Sequence, residues 1–493
     1  MLDVERYYIG IDLGTSSVKT VLLNSCGGKI SSAKRTYPFL EEEKGYLQRP
    51  EDWTSAITES VTELVRTADI DPTLVDCIGL SAQLPTCVVT DSLGHPVAPA
   101  ITWCDPRADE IGHEMAAAFG EDHYRRTGVV LDGRYVLPMA VWLRRNHPEV
   151  FGNEAHVLGA KDYICHWLTG SMVTDPTTAS GSGVYDLFAG GFAVDYLDMF
   201  DFREEQMPRV APSTACAGGL LESARLPLAA NTPVCVGAAD SLAGVIGMGA
   251  CGTGDVCMLF GSSAAIIALA DQPIPSDSRR FFITPAARPF QYGLETDVLS
   301  TGSAIAWLCS LMQKTPEELA ALAADSHPGA NGALFFPYMA GGEQGALWDP
   351  SLSGGIVGLS LEHKPSDIAR ALLEGICYEI RRCLTAFEEA GYEIRRIVTS
   401  GAFTGNPVIA QLLADILGRE LQVFSGSDAS AMGAAYLAGI ARDHWQFDNI
   451  SNICGIPDCY HPGTTDYDDL YARHLANVSC SRVNETKGKE EYP

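Results

Sequence analysis

The chain has 493 residues, 46% of them apolar, and its 48 glycines and 27 prolines are scattered rather than periodic, which provides for globular cores and excludes collagen-like and low-complexity readings. Acidic residues number 62 against 34 basic ones, a net charge of −28. A chain this acidic repels phosphate backbones and anionic lipid, so no nucleic-acid or membrane-surface role is expected, although a small anion held by amides and a metal is still allowed.

Fifteen cysteines show no Cys-x-x-Cys spacing and no zinc-finger cluster with histidine, so they read as small buried hydrophobes of a reducing compartment. The acidic start (Asp3, Glu5) runs directly into an apolar segment and shows no signal peptide. The longest apolar stretch, over 256–270, is interrupted by Gly261, Ser262 and Ser263 and is too short for a bilayer. A cytoplasmic protein is expected.

An apolar run over 7–12 ends at Gly14, Thr15, Ser16 and Ser17, and a second run over 18–23 closes in a turn at 26–28. This pattern predicts a β-hairpin with a small-residue tip. Helical periodicity over 51–68 places Trp53, Ile57, Val61 and Leu64 on one face. Strands are expected over 74–80 and 87–90, and helices over 139–145 and 162–168. Residues 170–230 are rich in Gly, Ser and Pro and carry no strong period.

The opening pattern then returns. A run over 255–260 ends at Gly261-Ser262-Ser263 and continues as a strand over 264–270. Two strand–glycine–hydroxyl–strand units, about 250 residues apart, suggest an internal duplication. The boundary is expected in the small-residue cluster at 242–252. The resulting division is 1–245, 246–455, and a segment over 456–493 that holds a helix and a frayed tail.

A hairpin with a glycine tip lets backbone N–H groups approach phosphate oxygens. Thr15 and Ser16 add hydroxyl donors, and Lys19 adds charge. Asp12, just before the tip, can hold Mg²⁺ through water, as that ion prefers. The Gly261-Ser262-Ser263 turn is suited to the same polyphosphate, and the duplication together with Asp12 favours this over two ordinary turns. Ser400-Gly401-Ala402, followed by Asn406 and a helix over 408–417, is a strand–turn–helix platform for adenine or ribose, or a plain connection.

Asp240 ends an apolar run at the expected boundary. It is the candidate base for an attacking alcohol, and capping a helix over 241–247 is a compatible role. Trp103, Asp105 and Arg107 can hold a polyhydroxyl ligand by stacking and charged hydrogen bonds; the alternative is an Asp–Arg structural pair.

Together these residues resemble the FGGY carbohydrate kinases, from Ile9 to about Leu437. Ile9-Gly10-Ile11-Asp12-Leu13-Gly14-Thr15-Ser16 is similar to that family's first phosphate motif. Gly79-Leu80-Ser81-Ala82-Gln83 with Trp103-x-Asp105-x-Arg107 resembles its sugar side. Lys161-Asp162-Tyr163, Leu168-Thr169-Gly170, Asp175, Ala179 and Ser180 follow its next segment. Gly237-x-x-Asp240 matches the position of the catalytic base. Gly261-Ser262-Ser263 resembles the second phosphate loop, Gly302 with Ala306 a nucleotide-contact turn, and Gly401, Ala402 and Asn406 the adenosine motif. Gly354-Gly355-Ile356-Val357-Gly358-Leu359 with Asp367 and Glu374 is similar to the family signature.

The resemblance implies an α/β fold of two duplicated ribonuclease-H-like, actin-type domains with the active site in the cleft between them. It implies ATP and Mg²⁺ as cofactors and a small sugar as partner. Gln83, Leu84, Trp103, Asp105, Asp240 and Ser241 are the implied sugar side. A non-catalytic sensor and an actin- or chaperone-like ATPase are the competing classes, and a homodimer is one of the assemblies left open.

Several positions depart from the family. Leu84-Pro85 stands where many xylulokinases have Met-His and glycerol kinases Arg-Glu. Ser241 stands where xylulokinases often have Asn, and Pro138-Met139 where they have Pro-Lys. The segment holding Gly341-Gly342-Glu343 is one residue longer than usual. Loss of polar side chains at 84 and 85 removes hydroxyl discrimination. Among acceptors D-xylulose leads, with other ketoses, polyols and aldonates as alternatives; Gly401-Ala402-Phe403-Thr404 leans toward the gluconate-type branch.

Overall fold

The computed structural model describes residues 5–42, 45–152, 154–275, 279–340, 346–426 and 428–482. The insertion expected around Gly341-Gly342-Glu343 and the end of the expected frayed tail lie outside these residues.

The predicted hairpin forms from antiparallel strands Tyr7–Leu13 and Ser17–Asn24, and its tip falls at the Gly/Thr/Ser residues between them. Both strands are almost wholly buried, which explains their continuous apolar runs. A third antiparallel strand, Lys29–Thr36, flanks the second. On the other side, Val75–Ala82 pairs in parallel with Tyr7–Leu13, and Pro233–Ala239 pairs in parallel with Val75–Ala82. In chain order the sheet therefore runs 3-2-1-4-5, with Cys216–Gly219 added at its edge.

The second sheet repeats the arrangement. Tyr292–Val298, Ala264–Ala270, Asp255–Phe260, Arg396–Gly401 and Leu421–Phe424 stand in the same 3-2-1-4-5 order. Asp255–Phe260 is antiparallel to the strand after it and parallel to Arg396–Gly401. The echo at Gly14 and Gly261 is thus the visible part of a duplicated topology.

The helix expected over 51–68 spans Pro50–Ala68, with Pro at its start, Glu51 and Asp52 in its first turn, and Asp69 ending it in the left-handed conformation. Its buried face of Trp53, Ile57, Val61 and Leu64 joins Ile9, Ile11, Val18 and Leu22 in one core cluster. The weakly periodic stretch 170–230 forms short pieces, such as Val173–Thr174, Pro176–Ala179 and Tyr185–Asp186. None is long enough to show a repeat.

The chain divides into two compact units: 1–253 with 269–294 and 428–455, and 254–268 with 295–427 and 456–493. A single cut near residue 245 does not reproduce this, because Asp428–Gly455 returns to the first unit. The reason is close backbone packing. A Cβ on Gly10 would lie 1.9 Å from the Ala431 carbonyl oxygen, and one on Gly79 would lie 1.8 Å from that of Ala434. One on Gly433 would lie 1.7 Å from the Ala243 carbonyl oxygen. The helix Ala429–Ala441 therefore seats directly on the strand carrying Asp12, on the strand that leads to Gln83 and on the helix that begins at Asp240. The expected C-terminal helix is Asp468–Asn477.

Among the described residues no helix is long and apolar enough to cross a membrane. Among the described residues no cysteine forms a disulfide, and Cys26, Cys216, Cys459 and Cys480 are exposed rather than buried.

Candidate active site

Three parallel strands of the first unit end side by side, and their carboxyl ends carry the candidate chemistry, where open α/β sheets bind ligands. Asp12 lies one residue before the end of Tyr7–Leu13, opposite Lys19 on the hairpin. It is 7% exposed, and its Oδ1 accepts a 2.9 Å hydrogen bond from the Ser81 hydroxyl. Burial raises its pKa; the Ser81 bond and the Lys19 charge oppose that rise.

Asp240 begins the helix Asp240–Gly247 rather than preceding it, and Ala239 takes the cap position. Its Oδ1 accepts from the backbone N–H of Ser241 at 2.8 Å. Burial, with the like charge of Asp12 second, pushes its pKa up to about 7. The approach to Asp240 is shaped by a bulge, in which Val236 and Gly237 together face the single residue Leu80 on the neighbouring strand. Gly237 has φ +75°, and a Cβ there would lie 1.8 Å from the Leu80 carbonyl oxygen. Glycine is required there, and the strand is re-aimed as bulges re-aim strands near active sites.

The hairpin tip is tied down from several sides. The Tyr37 hydroxyl donates to the Gly14 carbonyl, and the Trp103 indole N–H lies 3.3 Å from Thr15 Oγ1. Trp103 is 39% exposed, which leaves a ring face available. Gln48 Nε2 donates to the Thr15 carbonyl at 2.7 Å. The Gln48 oxygen accepts from Trp53 Nε1 and from Gln83 Nε2. Gln83 is 2% exposed, and its own Oε1 is buried without a protein partner. Gln48 was not among the expected site residues: a buried glutamine in a short strand looks from sequence like any polar residue.

Leu84 follows Gln83 and faces Gly181, where a Cβ would be 3.2 Å from its Cδ1. Asp105 takes the structural alternative. It is 1% exposed, Oδ2 accepts from the Tyr46 N–H, and Oδ1 accepts from the Arg107 N–H and Nε. Its carboxylate thus serves three protein donors.

In the second unit the three expected nucleotide turns come together. Gly261 and Gly401 end neighbouring parallel strands, since Phe260 pairs with Gly401. The Ser262 carbonyl accepts from the N–H groups of Thr301 and Ser303, both at 3.1 Å, and from the Ser303 hydroxyl. This places Gly302 and the start of the helix Gly302–Met312 directly on the Gly261–Ser263 turn. Ala306, one turn along that helix, is exposed, as are Ser262, Ser263 and Ala402. Asn406 caps the helix Pro407–Leu417, its side chain accepting from the Val408 N–H at 3.0 Å.

Among the described residues no cluster of three or more His, Cys, Asp or Glu is placed to hold a metal. A cation at Asp12 would draw on that carboxylate, water and ligand oxygens, a donor set that suits Mg²⁺.

The chain is 29% identical over 439 residues to a xylulose kinase of Bacillus subtilis, covering 88% of each chain. It is 27% identical over 470 residues to a gluconokinase of Bacillus licheniformis, covering 91% of this chain and 90% of that one. A crystal structure of gluconate kinase from Lactobacillus acidophilus matches with TM-score 0.90 at 26% identity, over 97% of this chain and 99% of the other. Family models for the N-terminal and C-terminal domains of FGGY carbohydrate kinases match residues 7–247 and 251–442. With both halves matched in order, the chain belongs to the FGGY family of carbohydrate kinases and is a sugar phosphotransferase.

Proposed function

We propose that this kinase transfers the γ-phosphoryl group of ATP to a hydroxyl of a small ketose, with D-xylulose the leading acceptor. The observation that carries the catalytic reading is Asp240, a carboxylate at a strand end whose pKa of about 7 suits a general base near neutral pH. The acceptor oxygen forms a bond to the γ-phosphorus as the bond to the β,γ-bridging oxygen breaks. Asp240 takes the hydroxyl proton, and ADP leaves.

Gly14, Thr15, Ser16 and Lys19 in the first unit, and Gly261, Ser262 and Ser263 in the second, offer donors for phosphate oxygens. Gly302, Ala306, Gly401, Ala402 and Asn406 serve the nucleoside. Gln83, Leu84, Trp103 and Ser241 line the sugar side. Asp12 is the residue that would hold Mg²⁺, which would supply charge neutralisation on the phosphates.

Xylulose leads because xylulose kinases are among the relatives that span most of the chain. Gluconate is the second reading, supported by Gly401-Ala402-Phe403-Thr404 and by the likeness to a gluconate kinase structure.

The test is coupled ADP release with Mg-ATP across D-xylulose, L-xylulose, D-ribulose, glycerol, erythritol and gluconate. Asp240→Asn is expected to lose about 10²–10⁴ in rate on the best substrate. A wild-type rate in that variant removes Asp240 as the base. ATP hydrolysis that needs no sugar favours the ATPase class instead.

A further inference from the structure

The bulge that presents Asp240 is braced by a buried ionic cluster whose members lie far from it in sequence. Lys161 and Asp175 are 1% and 0% exposed, and Lys161 Nζ lies 3.1 Å from Asp175 Oδ1. The same ammonium donates to the Val236 carbonyl at 3.0 Å. Asp175 Oδ2 accepts from the hydroxyls of Thr177 and Ser213, both at 2.7 Å. The Thr177 hydroxyl in turn accepts the backbone N–H of Ala239 at 2.8 Å. Ser213 also gives its carbonyl to the Gly237 N–H at 2.8 Å. The cluster therefore holds the Val236 carbonyl, the Gly237 N–H and the Ala239 N–H, the last of these one residue before the base.

A buried ion pair is a poor source of stability, since desolvation costs about as much as attraction returns and apolar replacements are often neutral. What this cluster does supply is direction. It fills hydrogen-bonding groups at the bulge, on Val236 and Gly237, and one just past it, on Ala239, which is back in register with Ala82. We infer that Lys161, Asp175 and Thr177 are positioning residues that fix the orientation of Asp240 for proton removal. They act through Val236 and Ala239 and do not touch substrate. The inference rests on Asp240 being the base.

Thr177→Val keeps shape and removes only the hydroxyl that holds Ala239. It is expected to melt within a few degrees of wild type and to lose about tenfold in kcat, as small misplacements of catalytic groups do. KM for sugar and for ATP are expected to stay within about twofold, because Lys161, Asp175, Thr177 and Ser213 are all buried. Thr177→Ser restores the hydroxyl and is expected to recover kcat to within about twofold of wild type. A wild-type kcat in Thr177→Val, a loss confined to KM, or a failure of Thr177→Ser to recover overturns the proposal. Should Thr177→Val not fold, Ser213→Ala removes the other hydroxyl on Asp175 Oδ2; a fall in kcat at unchanged KM supports the proposal, and an unchanged kcat overturns it. Asp240→Asn runs alongside: full activity there removes the base itself, whereas an inactive Asp240→Asn beside a fully active Thr177→Val removes only the positioning role.

Discussion

The side-chain amide of Gln48 donates a 2.7 Å hydrogen bond to the carbonyl of Thr15, 33 residues earlier in the chain. Its oxygen simultaneously receives the amide of Gln83 at 2.8 Å, so one buried side chain links the hairpin tip to the expected sugar side. Gln48→Met keeps the volume but leaves the Thr15 carbonyl and two buried donors without this partner, at about 1–3 kcal/mol per unsatisfied group. The expected outcome is a lower melting temperature and a fall of about tenfold in kcat/KM for ATP, read by steady-state kinetics. An unchanged kcat/KM separates the tip from catalysis.

Gly14 and Gly261 have room for a side chain: a Cβ would stand 3.4 Å from the Ser17 carbonyl oxygen and 3.8 Å from that of Ser263. Packing does not require glycine at either place. Gly14→Ala and Gly261→Ala are therefore expected to leave the melting temperature within about 2 °C of wild type. Each is expected to weaken ATP binding by about tenfold, because the methyl group occupies space where phosphate oxygens approach the amides. Calorimetric titration with a non-hydrolysable ATP analogue checks this, and unchanged affinity returns both turns to ordinary hairpin geometry.

Asp240 can accept a proton only when ionised. Its pKa of about 7 predicts that kcat/KM for the sugar rises with pH up to about 7 and levels above it. A profile already flat from pH 5.5 would assign the proton to another group.

The same raised pKa has a stability consequence of defined sign. The folded state keeps a proton on Asp240 that the unfolded chain releases near its ordinary value of 3.8, so Asp240 costs stability progressively as pH rises from about 4 to about 7. Asp240→Asn carries no such cost. Its melting temperature is expected to match wild type near pH 4, exceed it increasingly up to pH 7, and hold a constant margin above. Equal melting temperatures at pH 8 would show that Asp240 is well solvated.

The local parts of the fold were legible in the sequence because their signals are local. A glycine and hydroxyls between two apolar runs mark the hairpin tip, and the same signal at Gly261 exposes the duplication. Asp240 was visible as a carboxylate at the end of an apolar strand. The Val236–Gly237 bulge was not, since a bulge is defined by its partner strand, and Leu80 lies far away in sequence. Gln48 and Thr177 were missed for a related reason: their roles depend on which backbone groups the fold leaves unpaired. Asp105 was half legible, because only the structure shows that the Tyr46 N–H completes its set of donors. The helix Ala429–Ala441 gave no hint of its unit, since small residues read as weakly amphipathic until the glycines they touch are known.

That helix also sets a schedule for biosynthesis. It covers Gly10 and Gly79, residues that leave the ribosome more than 350 positions before Ala431 does. At about 5–20 residues per second, the first sheet waits tens of seconds for the helix that belongs on it. Throughout that interval the strand bearing Asp12 lacks its backbone cover, and a chain stopped before residue 428 carries the exposed state permanently. The sheet that bears Asp12 is thus among the first elements synthesised and among the last to be finished.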